Sequence, residues 1–244
     1  MWTNEQPFVN DEHREIYEAT KDIPGWQAPG DSHRLYEMAY KAGDVILEIG
    51  MFGGRSATVE LRGGLAAPER QTPPLYFGVD IAFSSVMRTL NTLEKQNLQQ
   101  HALAFHGDIE QFFSRIKIQP TMVFVDGDHL YEGVKKDLDF LSSHLVPETP
   151  VLCHDYWNTE NDTGEIGVRK AVDEFVANGW AKMIGKSGCS AFLVTTDQCT
   201  GVEMEPWSQE QFAQMRSDLL QEYLVNLYQN MHAIQQGKEN KFAA

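Results

Sequence analysis

An α/β architecture is what this 244-residue sequence predicts: a doubly wound, mostly parallel sheet of seven strands, with an antiparallel last strand and a long C-terminal helix. Three observations carry that expectation. Short apolar runs recur without polar alternation, which marks strands buried on both faces. Amphipathic stretches of helical period lie between them. The last two runs are joined by three residues, too few for a parallel crossover.

In chain order, residues 1–34 form an N-terminal helical or lid segment, and 35–200 form the core. The first strand is "DVILEIG" (44–50), and it runs into the glycine-rich turn "EIGMFGGRS". "LYFGVD" (75–80) is the second, followed by the helical "SSVMRTLNTLEKQN" (84–97). "ALAFHG" (102–107) and "TMVFVDG" (121–127) are the third and fourth, and "YEGVKKDLDFLSSHL" (131–145) is the next helix. "PVLCHD" (150–155) is the fifth strand. In "IGVRKAVDEFVANG" (166–179) the residues Val168, Ala171, Val172 and Phe175 share one helical face. "AKMIGK" (181–186) and "SAFLVTT" (190–196) are expected to pair antiparallel across "SGC". Residues 201–244 carry a long amphipathic helix with Phe212, Met215, Leu219, Tyr223, Leu227, Met231 and Ile234 on one stripe. That stripe is expected to pack on the domain, with a homo-oligomer contact as its other use. The tail "GKENKFAA" is expected to fray.

Composition narrows the function. With 35 acidic against 20 basic residues, the net charge of −15 repels phosphate backbones, so nucleic acid is not an expected partner. No apolar stretch is long enough to span a bilayer. Cys153, Cys189 and Cys199 show no zinc spacing, and the N-terminus lacks a targeting pattern, so a reducing cytoplasm is the expected location.

Chemistry concentrates where strands end. Glycines after the first strand let backbone approach a ligand, and Ser56 opens the following helix. The second glycine of a dinucleotide fingerprint is absent, because Phe52 stands there. Asp80 ends the second strand, where an acid in a nucleoside-binding sheet accepts ribose hydroxyls. Gly107, Asp108 and Ile109 end the third. Asp126, Asp128 and His129 follow the fourth, and His154 and Asp155 the fifth. Each acid also has a plain reading as a turn residue or helix cap, and Asp128 in particular as the cap of the helix starting near Leu130.

The pattern Glu48, Gly50, Gly54 resembles the first motif of class I S-adenosylmethionine-dependent methyltransferases. "VFVDGDHLYEGVKKDLDFL", "VLCHDY" and "GVRKAVDEF" are similar to the family that groups macrocin-type sugar O-methyltransferases with cephalosporin hydroxylase-like proteins. The resemblance runs from about Gly25 to Thr196. It implies a donor site at Glu48, Gly50, Gly54, Ser56, Asp80, Asp108 and Ile109, with Asp108 on the adenine amino group. It implies a divalent cation, magnesium or manganese, at Asp126, His154 and Asp155, and His129 as general base beside Asp126. His154 departs from the family, which has an acid there, and an imidazole shifts preference from magnesium toward manganese or iron. Asn158 or Asp162 would add a ligand unless the 155–167 loop is a solvated lid. The implied reaction is O-methylation of a hydroxyl on a small molecule. A non-haem iron hydroxylase using the same Asp/His cluster, a metal-independent N- or C-methyltransferase, and a binding protein that keeps the fold are the alternatives.

Overall fold

A computed structural model describes residues 1–235, with side chains to residue 229. Two helices precede the sheet. Asn10 caps α1 (Asp11–Thr20) by accepting from His13 N, and Pro29 opens α2 (Pro29–Ala42), where its missing N–H costs nothing. The residue 34 boundary lies inside α2, whose Ser32, Arg34, Leu35 and Tyr36 are all buried, so the N-terminal segment is continuous with the core.

The seven strands are β1 (Val45–Ile49), β2 (Leu75–Asp80), β3 (Ala102–His106), β4 (Met122–Val125), β5 (Pro150–Cys153), β6 (Ala181–Ser187) and β7 (Ser190–Thr195). Their spatial order is β3-β2-β1-β4-β5-β7-β6, with β7 inserted antiparallel between β5 and β6. The runs that lacked alternation, from β1 to β5, are buried along almost their whole length. Between them come α3 (Arg55–Leu65), α4 (Phe83–Lys95), α5 (Ile109–Arg115), α6 (Tyr131–Ser142), the short α7 (Glu160–Thr163) and α8 (Val168–Ala177).

The strand order turns back at β1, which pairs with β2 on one side and β4 on the other. The connections leaving β1 and β4 diverge there and open a crevice at the carboxyl ends. Gly50 makes the close approach feasible: its φ is +88°, and a Cβ there would lie 2.0 Å from the Asp126 carbonyl oxygen.

After β7 the chain returns along the opposite edge as α9 (Gln209–Gln235). Phe212, Leu219 and Tyr223 are buried against the domain, with Phe212 edge-on to Phe77 at 5.3 Å. Tyr223 Oη accepts from His106 N at 2.9 Å and donates to Ala104 O at 3.0 Å, covering part of the exposed edge of β3. The Met231 and Ile234 side chains and the tail from residue 236 lie outside the described residues.

Candidate active site

A cavity of about 1330 Å³ fills the crevice and runs from the glycine turn to the ends of β4 and β5. Its wall at one end is the start of the loop 50–54, Gly50, Met51 and Phe52. Asp80 holds that loop: Oδ2 accepts from Met51 N at 3.0 Å and Phe52 N at 3.3 Å, and Oδ1 accepts from Ala82 N at 2.8 Å. These bonds help keep Phe52 at its unusual φ of 44°. Three of the carboxylate's roughly four lone-pair sites are thus already engaged.

Asp108 caps α5, accepting from Gln111 N at 2.8 Å, and faces Lys136 Nζ at 3.2 Å. The Gln111 N–H above all, with Lys136 helping, holds its carboxyl below the usual range. Gly50, Ser56, Asp80, Asp108 and Ile109 all line the cavity.

Two residues expected at the donor, Glu48 and Gly54, do not line the cavity. Glu48 is fully buried below the loop, accepting from the hydroxyls of Ser56 and Tyr76, and burial pushes its carboxyl up to about 8. Gly54 is the left-handed N-cap of α3 and packs against Thr89 and Thr92. Both support the loop from behind.

At the other end, Asp126, His129, His154 and Asp155 bring four ligand atoms within 4.8 Å of one another. His129 Nε2 lies 3.4 Å from Asp126 Oδ1 and 3.2 Å from Asp155 Oδ2, and His154 Nδ1 lies 3.0 Å from Asp126 Oδ1. Burial disfavours charge on His154, but Asp126 outweighs it and raises the imidazole pKa. Burial likewise opposes ionisation of Asp155, yet His129 and His154 hold its carboxyl low. Asp155 sits at φ 56°, a left-handed conformation that a non-glycine residue adopts at a cost. Both His154 ring nitrogens are buried without a well-aligned hydrogen bond.

Asp128 accepts from Leu130 N at 2.9 Å, a turn bond two residues ahead. It is not the cap of α6, because Leu130 occupies that position with no side-chain bond. Asn158 lines the cavity and donates to Asp155 Oδ1 at 3.3 Å, whereas Asp162 pairs with Arg169 at 2.5 Å. Asn161 donates to the carbonyls of Asp155, Tyr156 and Asn158, so the 155–167 loop is internally braced.

Sequence reasoning missed several groups here. Asp31 is buried behind His154, 3.8 Å from its Nε2, and accepts from Ser190 Oγ at 2.6 Å and Cys189 N at 3.0 Å. Cys189 Sγ contacts Asp155 Oδ1 at 3.3 Å, and burial pushes the thiol up to about 12. Asp137, raised to about 6 by burial, and Arg55 also line the cavity. The Asp at the third position of a Pro-initiated helix was a local signal, since its Oδ2 reaches back to Ala28 N. Nothing local ties it to residue 154.

Residues 47–156 match the family model described as a methyltransferase domain. Among solved structures, an O-methyltransferase from Bacillus cereus in complex with SAH aligns at TM-score 0.57 and 17% identity, covering 78% of this chain and 92% of that one. The O-methyltransferase TomG from Streptomyces achromogenes, involved in tomaymycin synthesis and solved with SAM, aligns at 0.57 and 17%, covering 76% and 88%. The SAH-bound methyltransferase PaMTH1 of Podospora anserina aligns at 0.56 and 16%, covering 77% and 88%. At such identities the structural likeness is one of fold, and it agrees with the strand order and the switch-point cavity. Residues 47–156, from the first strand to just beyond the fifth, thus match a methyltransferase domain, and the fold around them is the one seen in these methyltransferase structures.

Proposed function

We propose that the protein transfers the methyl group of S-adenosylmethionine to a hydroxyl of a small polar molecule, with a divalent cation at Asp126, His154 and Asp155 and with His129 as proton acceptor. One observation carries the reading: a single cavity joins the glycine loop, Asp80 and Asp108 to a cluster of two imidazoles and two carboxylates. The neighbours named as O-methyltransferases with S-adenosyl ligands support the same donor and the same kind of acceptor atom.

The cluster fits a cation. His154 is buried with ring nitrogens lacking aligned partners, beside two carboxylates close enough to share an ion. Mixed nitrogen and oxygen donors suit manganese or iron better than magnesium. When bound, such an ion would offset the carboxylate charge and make a nearby hydroxyl easier to deprotonate. A non-haem iron reading would use the same ligands, but the domain match and strand order favour methyl transfer.

The protein's own groups divide the rest. Asp80 fixes the donor loop, and Asp108 stands at the far donor wall. The carboxylates of Asp126 and then Asp155 push His129 up to about 10, so with their charge uncompensated it is an imidazolium at neutral pH. Once that charge is offset, neutral His129 takes the acceptor proton at Nε2. Methyl transfer is an in-line displacement, so alignment of hydroxyl and methyl carbon supplies much of the acceleration.

The test is calorimetric titration of S-adenosylmethionine and its demethylated product into chelator-treated protein, repeated with manganese restored, beside methylation assays. D126N and D155N should weaken manganese by more than ~10-fold, since a direct ligand counts for at least as much as an outer partner, and should spare donor binding. H129N should keep both ligands and lose roughly 100-fold or more in turnover. Equal loss of donor affinity and melting temperature in D126N and D155N would assign those acids a structural role.

A further inference from the structure

Arg55 is 5% exposed, yet its Nε and Nη2 have no hydrogen-bond partner among the described residues. Its single polar bond runs from Nη1 to Gly25 O at 3.2 Å, and the Tyr17 ring lies 5.0 Å from its Cζ. Among the described residues no carboxylate forms an ion pair with it. A guanidinium stays charged in any protein setting, and burying one with open donors is costly unless a partner arrives. Arg55 lines the cavity next to Ser56.

We propose that Arg55 anchors the carboxylate at the amino-acid end of the methyl donor, a role that rests on the S-adenosylmethionine reading above. The two open nitrogens form one edge of the guanidinium plane, the edge that takes a carboxylate in two parallel hydrogen bonds. Arg55 is also the first residue of α3, an 11-residue helix whose cap Gly54 supplies no side-chain bond, so the free first-turn N–H groups favour an anion at the same end.

The cavity leaves an anion few other places to go. Its walls carry Asp80, Asp108, Asp126 and Asp155, which suit the sulfonium and ammonium but repel a carboxylate. Lys136, the other long cationic side chain on the wall, already faces Asp108 at 3.2 Å and Glu110 at 3.6 Å. Gly25, at φ +146°, packs onto the stem of Arg55, where an added Cβ would lie 3.0 Å from Arg55 Cβ. The N-terminal segment therefore lies over the arginine.

The proposal is tested by calorimetry with four ligands that differ at one end: S-adenosylmethionine, S-adenosylhomocysteine, decarboxylated S-adenosylmethionine and 5′-methylthioadenosine. Loss of a charge-assisted pair corresponds to roughly 10- to 100-fold in affinity. R55M should lose that much for the two ligands with a carboxylate and keep wild-type affinity for the two without. Unchanged affinity of R55M for S-adenosylmethionine, or an equal loss for all four ligands in a protein that melts like the wild type, overturns the assignment. Should R55M melt early, the wild type decides: decarboxylated S-adenosylmethionine must bind roughly 10- to 100-fold more weakly than the intact donor, and equal affinities overturn the proposal. Failure of all four to bind the wild type would instead sink the donor reading itself, and the anchor with it.

Discussion

Two arginines are buried among the described residues, and they live in opposite circumstances. Arg34, in the N-terminal helices, is completely buried with every nitrogen engaged: Nε on Ser187 Oγ, Nη1 on Glu37 and Glu5 O, and Nη2 on Asn4 O. Arg55, on the cavity wall, has two nitrogens idle. The contrast separates two kinds of region. Where the chain folds onto itself, buried polar groups find partners within the protein; where it waits for a ligand, they do not. Among the described residues with unpartnered buried side-chain atoms, three are themselves buried: Arg55, His154 and Glu60. Two of them line the cavity, and the third lies against Glu48 beneath the glycine loop.

The sharpest way to break the comparison is to truncate Arg34. R34M leaves Glu37 buried with only Lys41 beside it, and removing one partner of a buried pair costs about 3–5 kcal/mol. In a chain of this size that lowers the melting temperature by on the order of 10 °C. R55M, which breaks no ion pair, should melt within a few degrees of the wild type. A large drop in R55M and a small one in R34M, read by thermal and urea unfolding, would erase the distinction.

The next effect is acidic. His13 is fully buried, and burial above all pulls its imidazole down to about 4. Its Nδ1 accepts from Val9 N at 3.1 Å while Nε2 lies 2.7 Å from His33 O, an arrangement that suits the neutral ring donating from Nε2. Because the folded state refuses a proton that the unfolded chain takes up below about 6.5, stability falls as pH drops from 6.5 toward 4 and levels off below that. The loss is about 3 kcal/mol for a shift of this size. H13Q should flatten that part of the curve in chemical unfolding at stepped pH, and an unchanged slope would remove His13 from the account. His129, pushed the other way by two carboxylates, shows the same side chain in the second kind of region.

What was legible in the sequence follows from how local each feature is. Strands buried on both faces write themselves as unbroken apolar runs, so β1 to β5 could be placed from that signal, and β6 and β7 from the three-residue joint between two further runs. Asp126, His129, His154 and Asp155 were legible because they sit in two short clusters at strand ends, and the fold brings strand ends together. Glu48 shows the limit. Motif spacing gives position along the chain but not the side from which a residue leaves its strand, and this one turns toward Ser56 and Tyr76 below the loop. Arg55 and Asp31 were out of reach for a related reason. Their settings depend on remote segments, Gly25 in one case and the β6–β7 hairpin in the other.

Glu60 gives the smallest effect and the finest test. Its carboxyl oxygens have no N–H or O–H donor among the described residues, and burial together with the neighbouring Glu48 carboxyl holds its pKa well above the usual range. A protonated Glu60 that donates to Glu48 accounts for both facts, because Glu48 already accepts from two hydroxyls and is the better placed to carry the charge. The sign of the consequence is fixed by linkage. A carboxyl that stays protonated in the folded state costs stability progressively as pH rises above about 4.5, where the unfolded chain releases its proton. E60Q keeps a donor toward Glu48 and removes the titration, so it should raise the melting temperature at pH 8 and change it little at pH 5. E60A, which leaves a hole and no donor, should lower it at both. If E60Q is destabilised equally at both pH values, Glu60 is ionised in the native protein, and its partner is a cation or ligand rather than Glu48.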